Sequence, residues 1–237
     1  MSERKSKSDS DATTSDGEVK PTEIGDTRLF VAVEIRPTEL DGKLDEGSDD
    51  TEADEPNLSA RDPHGFLVAR HRQIQKSGWG KRVRWAPTES FHLTIQFLGD
   101  IDPDRVGELK AALTDALAET VAFKVSITRP ELFPRASRAR VVACPVKSNS
   151  SLKALSRAVR KATAPFLSAA AAAATIRPFR PHITLGRIRQ SQGRGAPNLV
   201  APGGEIEATV GLIGLFQSEL SNDGAQHREL AAFALGE

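Results

Sequence analysis

The period of apolar and polar residues changes repeatedly along the chain. Arg28-Leu29-Phe30-Val31-Ala32-Val33-Glu34-Ile35 is a short apolar run with β-branched residues, halted at Pro37, and it predicts a buried strand. Asp62-Pro63 has the form of a helix cap and first helical residue, and Gly78 has the form of a stop. Between them Phe66, Leu67, Arg70 and Ile74 make a weakly amphipathic helix. Phe91 to Leu98 predicts the next strand. After Asp102-Pro103, the residues Val106, Leu109, Leu113 and Leu117 recur at threes and fours, a helical stripe. Phe123, Val125 and Ile127 then alternate with Lys124, Ser126 and Thr128, as in a half-buried strand.

Arg140 to Val146 predicts a further strand, and Leu152, Leu155, Val159, Ala162 and Phe166 share one face of a third helix. The alanine run Ala169 to Ala174 either prolongs that helix, as alanine's propensity favours, or lies in a loop, because Pro165 interferes. Arg180 to Ile188, Glu205 to Leu220 and His227 to Leu235 predict three last strands. Gln190 to Gly204 reads as a flexible loop, and Asn222-Asp223-Gly224 is a turn signal. Helices mixed with hairpin-linked strands favour an α+β fold with antiparallel sheets over a doubly wound parallel one.

Composition sharpens this picture. The 237 residues suit one domain, or at most two. Hydrophobic residues make up 38% of the chain, against roughly 45–50% in an average globular domain. The deficit is concentrated in two acidic stretches that hold too few apolar residues to offset the entropy of ordering. Residues 1–26 are therefore expected to be a disordered tail, and residues 27–237 a single domain with a disordered acidic insert at 39–60. The tail carries a net charge of −3 and the run Glu39 to Glu55 carries −8; with zero net charge overall, about +11 falls on the part expected to fold. Such a part attracts polyanions, nucleic acid among them.

One cysteine, Cys144, rules out an internal disulfide and reads as a small buried hydrophobe. No apolar run approaches the ~18–20 residues of a membrane span, and Met1 to Lys20 lacks the apolar core of a secretory signal. A cytoplasmic monomer with no membrane partner is expected.

Two predicted strands share one local pattern, His92-Leu93-Thr94-Ile95 and His182-Ile183-Thr184-Leu185. Residues two apart on a strand face the same way, so His92 and Thr94 share a face, as do His182 and Thr184, while the apolar partners point to the core. An internal duplication with the polar faces across a cleft explains the repeat. Two histidines on one cleft suit acid–base chemistry near neutral pH. One neutral ring takes a proton from water and the other, protonated, gives one to a leaving oxygen. The hydroxyls of Thr94 and Thr184 are placed to hold an anionic oxygen, and Arg187, five residues after His182, adds positive charge. The set fits a phosphodiester better than a carbonyl. A zinc site fits poorly, since His-x-Thr brings no second strong ligand. Phe30, Trp79 and Trp85 read as packing residues rather than base platforms, and His64, His71 and His227 as surface or structural. Arg138 and Arg140 are candidates for a second phosphate contact.

In these stretches the chain resembles the 2H phosphoesterase superfamily, and within it the bacterial and archaeal RNA 2′,3′-cyclic phosphodiesterases, also called 2′-5′ RNA ligases. The likeness is carried by Arg28 to Val33, by Arg84-Trp85 and Phe91 to Asp100, and by Arg177 to Arg187, in that order. It implies a bilobal fold of two antiparallel sheets related by a pseudo-two-fold duplication, helices outside and a catalytic cleft between the lobes. It also implies hydrolysis of an RNA 2′,3′-cyclic phosphate to a 2′-phosphate without metal or other cofactor. His182 would then activate water, His92 would protonate the departing 3′ oxygen, and Thr94, Thr184 and Arg187 would hold the phosphate; ligation in reverse would swap the histidines. The partners would be RNA ends or nucleotides bearing the cyclic phosphate. A non-catalytic RNA-end or nucleotide-binding protein and a physiological 2′-5′ RNA ligase are the alternatives. The acidic insert and the long alanine run depart from the family pattern without touching its signature.

Overall fold

The computed structural model describes residues 28–37, 62–189, 199, 201, 203–221 and 224–237. The expected tail, the acidic insert, most of the Gln190 to Gly204 loop and the turn residues Asn222 and Asp223 lie outside the described residues.

Strand β1, Arg28–Glu34, is buried on both faces, which explains a run of apolar residues without alternation. Leu29, Val31 and Val33 face the main core, whereas Phe30 and Ala32 join Phe216 in a small second cluster on the opposite face. Helix α1, Pro63–Gln75, begins at Asp62, whose carboxylate accepts from the amides of His64 (3.2 Å) and Gly65 (2.9 Å). It stops before Gly78, where the Ser77 hydroxyl donates to the Ile74 carbonyl at 2.6 Å.

Strand β2, Val83–Trp85, was too short to show a period. It is followed by β3, His92–Asp100, and by α2, Val106–Leu117, whose buried Leu109, Leu113 and Leu117 are the anticipated stripe. Strands β4, Phe123–Thr128, β5, Glu131–Phe133, and β6, Val141–Pro145, lead to α3, Ser150–Thr163. The alanine run forms a separate helix, α4, Ala169–Thr175. Pro165 closes a 3-10 turn over Ala164–Phe166, and Ser168 caps the new helix by accepting from the Ala171 amide at 3.2 Å.

Strand β7 spans His182–Ile188. The expected long strand from Glu205 is two strands, β8, Glu205–Val210, and β9, Leu212–Ser221, with β10, Gly224–Ala234, last. The chain changes sheets at Gly211, because β8 pairs with β4 whereas β9 pairs with β1 and β10. Periodicity reports which face is buried, not which neighbour buries it.

The larger sheet runs β10-β9-β1-β3-β7-β6-β5, with β2 paired to the far end of β7 beyond its junction with β3, and every pairing is antiparallel. It consists of two halves joined between β3 and β7 at one registered pair, Leu93 with Ile183. The β4–β8 ribbon is the second sheet, and its Val125, Ile127, Ile206 and Val210 join the main core with Leu109, Leu113, Leu152 and Val159 of the helices. The outcome is the α+β class with antiparallel sheets and outer helices. No helix among the described residues is long and apolar enough to cross a membrane.

The two halves are related in detail. Burial along His92 to Leu98 repeats residue for residue along His182 to Ile188. Each strand also carries a bulge at the same place. Val31 faces Gln96 but Ala32 faces Thr94, leaving Ile95 over; Val142 faces Gly186 but Ala143 faces Thr184, leaving Leu185 over. In the second copy the bulge lies tight under β2. A Cβ on Gly186 would sit 2.4 Å from Val83 Cγ1 and 3.0 Å from the Arg84 carbonyl oxygen. Gly186→Ala is expected to push β2 away and lower stability by about 1–3 kcal/mol, measured as a shift in the urea midpoint with an unchanged slope.

Candidate active site

His92 opens β3 and His182 opens β7, one residue before the junction pair. Continuing the antiparallel register by one step sets His92 opposite Thr184 and Thr94 opposite His182. All four polar side chains line one cleft of about 600 Å³ with Phe30, Phe97, Arg187 and His227. Leu93, Ile95, Ile183 and Leu185 lie on the other face, in the core.

The rings are held alike. Nδ1 of His92 pairs with the Ser90 carbonyl oxygen at 2.8 Å, and Nδ1 of His182 with that of Arg180 at 2.7 Å. A carbonyl only accepts, so each Nδ1 carries the hydrogen and each Nε2 presents a lone pair. Each ring also has an aromatic neighbour. Phe30 lies 5.1 Å from His92, and Phe133 stacks on His182 at 4.1 Å with the Arg180 guanidinium on the ring.

Arg187 reaches this cleft through the bulge. Five residues separate it from His182, an odd number, so a regular strand would turn it toward the core. The extra residue at Leu185 restores it to the polar face, where it is exposed. The same shift in β3 brings out Phe97, which is 64% exposed at the cleft rim. Thus the pseudo-symmetry is broken at this position, aromatic in one half and cationic in the other.

The floor beneath His92 is aromatic. Phe30 and Phe216 stack at 5.4 Å over small neighbours, Ala32 and Gly214. A Cβ on Gly214 would lie 2.2 Å from the Phe216 ring. His227 joins this floor, 4.9 Å from Phe30 and 5.0 Å edge-on to His92. Its place beside His92 was not legible in the sequence, since β10 reaches the cleft only by pairing with β9.

Burial holds the His92 and His182 pKa values below the ordinary imidazole range, opposed by the carbonyl bonds and reinforced by Arg187. Charges distinguish the two: Glu34 raises His92, whereas Arg180 lowers His182. His227 is pushed down to about 4 by burial, then by His92 and Arg187.

Of the other sequence candidates, Phe30 and Trp85 line the cleft, and His64, His71, Trp79, Arg138, Arg140 and Cys144 fall elsewhere. His71 is buried between Trp85 and Phe91, and His64 Nε2 meets the Thr88 carbonyl oxygen at 3.1 Å. Trp79 is in the core, and the Trp85 indole donates to the Gly80 carbonyl at 2.9 Å. Phe30 packs beneath the cleft, 3% exposed. Arg138 and Arg140 do not line the cleft; Val141 faces Arg187, so Arg140 beside it has the opposite parity. Cys144 is fully buried, with its thiol pushed up to about 12.

An antiparallel α+β scaffold that sets two His-x-Thr strands side by side at one cleft defines a class of protein. The chain belongs to the 2′-5′ RNA ligase superfamily, whose family model matches residues 62–201. It is 25% identical over 152 residues to the RNA 2′,3′-cyclic phosphodiesterase of Bacillus subtilis, covering 64% of this chain and 80% of that protein. The protein of the same name from Geobacillus stearothermophilus is 26% identical over 153 residues, and the match covers 64% of this chain but only 47% of that protein. Among solved structures, TT0787 of Thermus thermophilus matches with a TM-score of 0.67 at 23% identity, over 89% of this chain and 99% of its own. Escherichia coli LigT complexed with phosphate gives 0.60 at 18% identity, over 90% and 99%.

The histidine environment sets the acid side of the stability curve. A histidine whose folded pKa lies below its unfolded value binds more protons when unfolded, so stability is complete above about 6.5 and falls as pH drops toward the folded value. Stability is therefore expected to decline from pH 6.5 to about 4, the value of His227. His227→Gln should give a shallower decline in pH-dependent denaturation melts.

Proposed function

We propose that this protein is an RNA 2′,3′-cyclic phosphodiesterase that opens the cyclic phosphate to a 2′-phosphate. The observation that carries the reading is the pair of imidazoles on one cleft, each with Nδ1 tied to a carbonyl. Binding an anion alone calls for cations; two oriented rings with Nε2 lone pairs suit moving protons. The names of the relatives point the same way.

Neutral His182 takes a proton from water through Nε2 while the water oxygen attacks phosphorus. The bond from phosphorus to O3′ breaks, and protonated His92 delivers its proton to O3′. The product keeps the phosphate on O2′, and His182 ends protonated and His92 neutral. Exchange with solvent resets both. Thr94, Thr184 and Arg187 hold the non-bridging oxygens as charge builds on them. The substrate's own negative charge supplies the rise in pKa that lets one ring carry a proton. Glu34, on the neighbouring strand and opposite His92, favours that ring as the acid, while Arg180 and Arg187 favour His182 as the base. The step as written moves both protons through the two imidazoles and calls on no metal.

Hydrolysis of a nucleoside 2′,3′-cyclic phosphate is expected to be unaffected by chelator and to follow a bell-shaped pH profile. His92→Ala and His182→Ala should each lower kcat by about 10²–10⁴-fold. Wild-type rates in either variant would sink the reading. Arg187→Ala should lower kcat/KM by about 10²–10³-fold with little change in the melting temperature. Glu34→Gln lowers the His92 pKa, so the alkaline limb of the profile should move to lower pH. Movement of the acid limb instead would reverse the acid and base assignment.

A further inference from the structure

The two reacting imidazoles are held alike at Nδ1 but differently at their faces. His182 stacks on Phe133 at 4.1 Å with 23° between the planes, close enough for one aromatic face to fix the plane of the ring. Phe30 stands farther from His92, at 5.1 Å, and is tilted by 38°. The Nδ1 hydrogen bond to the Ser90 carbonyl and one tilted neighbour leave the His92 ring room to swing.

The last strand fills that gap. His227 of β10 lies opposite Ser218 of β9, which lies opposite Arg28 of β1, and all three residues line the cleft. Ser218 is small, so the imidazole can lean across β9 toward β1. It meets Phe30 at 4.9 Å and His92 at 5.0 Å, the latter edge-on at 80°. With the 5.1 Å between Phe30 and His92, the three rings form a triangle of nearly equal sides. Phe30 is itself backed by Phe216 at 5.4 Å. His92 therefore cannot turn without displacing a neighbour.

The contact is made by rings rather than by hydrogen bonds. Among the described residues, neither nitrogen of His227 has a hydrogen-bond partner. Neutrality matters as well, because a charged ring beside His92 would oppose loading that residue with a proton. Burial, His92 and Arg187 push His227 down to about 4, so it is neutral above that value. Two residues along β10, Glu229 shares the face of His227 and pairs with Arg36, which pairs with Glu34 opposite His92. The same strand thus reaches the acid twice, by a ring and by charge.

We infer that His227 is a positioning residue that braces the His92 imidazole, so that its Nε2 stays aimed at the departing 3′ oxygen. This rests on the cyclic phosphodiesterase reading and names the group that aims its acid.

The test compares wild type with H227A and H227F on a nucleoside 2′,3′-cyclic phosphate. Both variants should fold, because His227 is only half-buried, and thermal melts at pH 7.5 check this. H227A should lower kcat by about ten- to hundredfold with KM little changed, whereas H227F, which keeps a ring edge at His92, should restore kcat to within about threefold of wild type. Nitrogen-15 spectra of the histidines supply a readout independent of turnover. His92 should hold its proton on Nδ1 in wild type and H227F, and show a mixture of tautomers in H227A. Wild-type kcat in H227A would overturn the inference. So would an H227F as slow as H227A with KM raised in both, which would make His227 a substrate contact. A folded wild-type protein that does not hydrolyse the cyclic phosphate overturns the phosphodiesterase reading instead, and the tautomer spectra then judge the brace alone.

Discussion

Strands β3 and β7 meet at one registered pair, Leu93 with Ile183, and the chemistry of the cleft depends on that junction. The two side chains are 1% and 0% exposed and are fixed in the core beneath the helices. Alternation therefore turns His92 and His182 to the other face. Because the strands run antiparallel, each histidine comes to lie beside the threonine of the opposite copy. The halves stay joined through the core while the polar face above the junction is left open.

The bulges decide what else reaches that opening. One extra residue in each strand moves the fifth position after the histidine from the core face to the cleft face. In one half that position is Phe97, over an aromatic floor of Phe30 and Phe216; in the other it is Arg187, on an edge with further arginines. A nearly symmetric backbone thus carries an asymmetric surface.

Electrostatics tune the two rings without any change of backbone. Desolvation favours neutral imidazole at both, which readies each Nε2 to accept a proton. Glu34 and Arg180 then separate them, one favouring the charged form and the other opposing it. The edge-on His227 answers to the same field from a third strand, where burial, His92 and Arg187 push it down to about 4. Cys144, a potential nucleophile elsewhere, is silenced by burial on the core face of β6.

Much of this was written in local pattern. The two His-x-Thr segments announced their faces because alternation is a property of the extended backbone itself, and the cap at Asp62 and the stripe of α2 are equally local. The short strands β2 and β5 were illegible, since three residues cannot display a period, and the sheet change at Gly211 was hidden inside a continuous strand-like run. The sequence by itself determined which side chains of the two His-x-Thr segments share the polar face and which of their neighbours turn inward. Only the tertiary structure decided that the two histidines share a cleft, that the bulges deliver Arg187 and Phe97 to it, and that His227 arrives from the last strand. Those facts depend on register between segments distant in the chain, and register is set by packing across the sheet rather than by any window of residues.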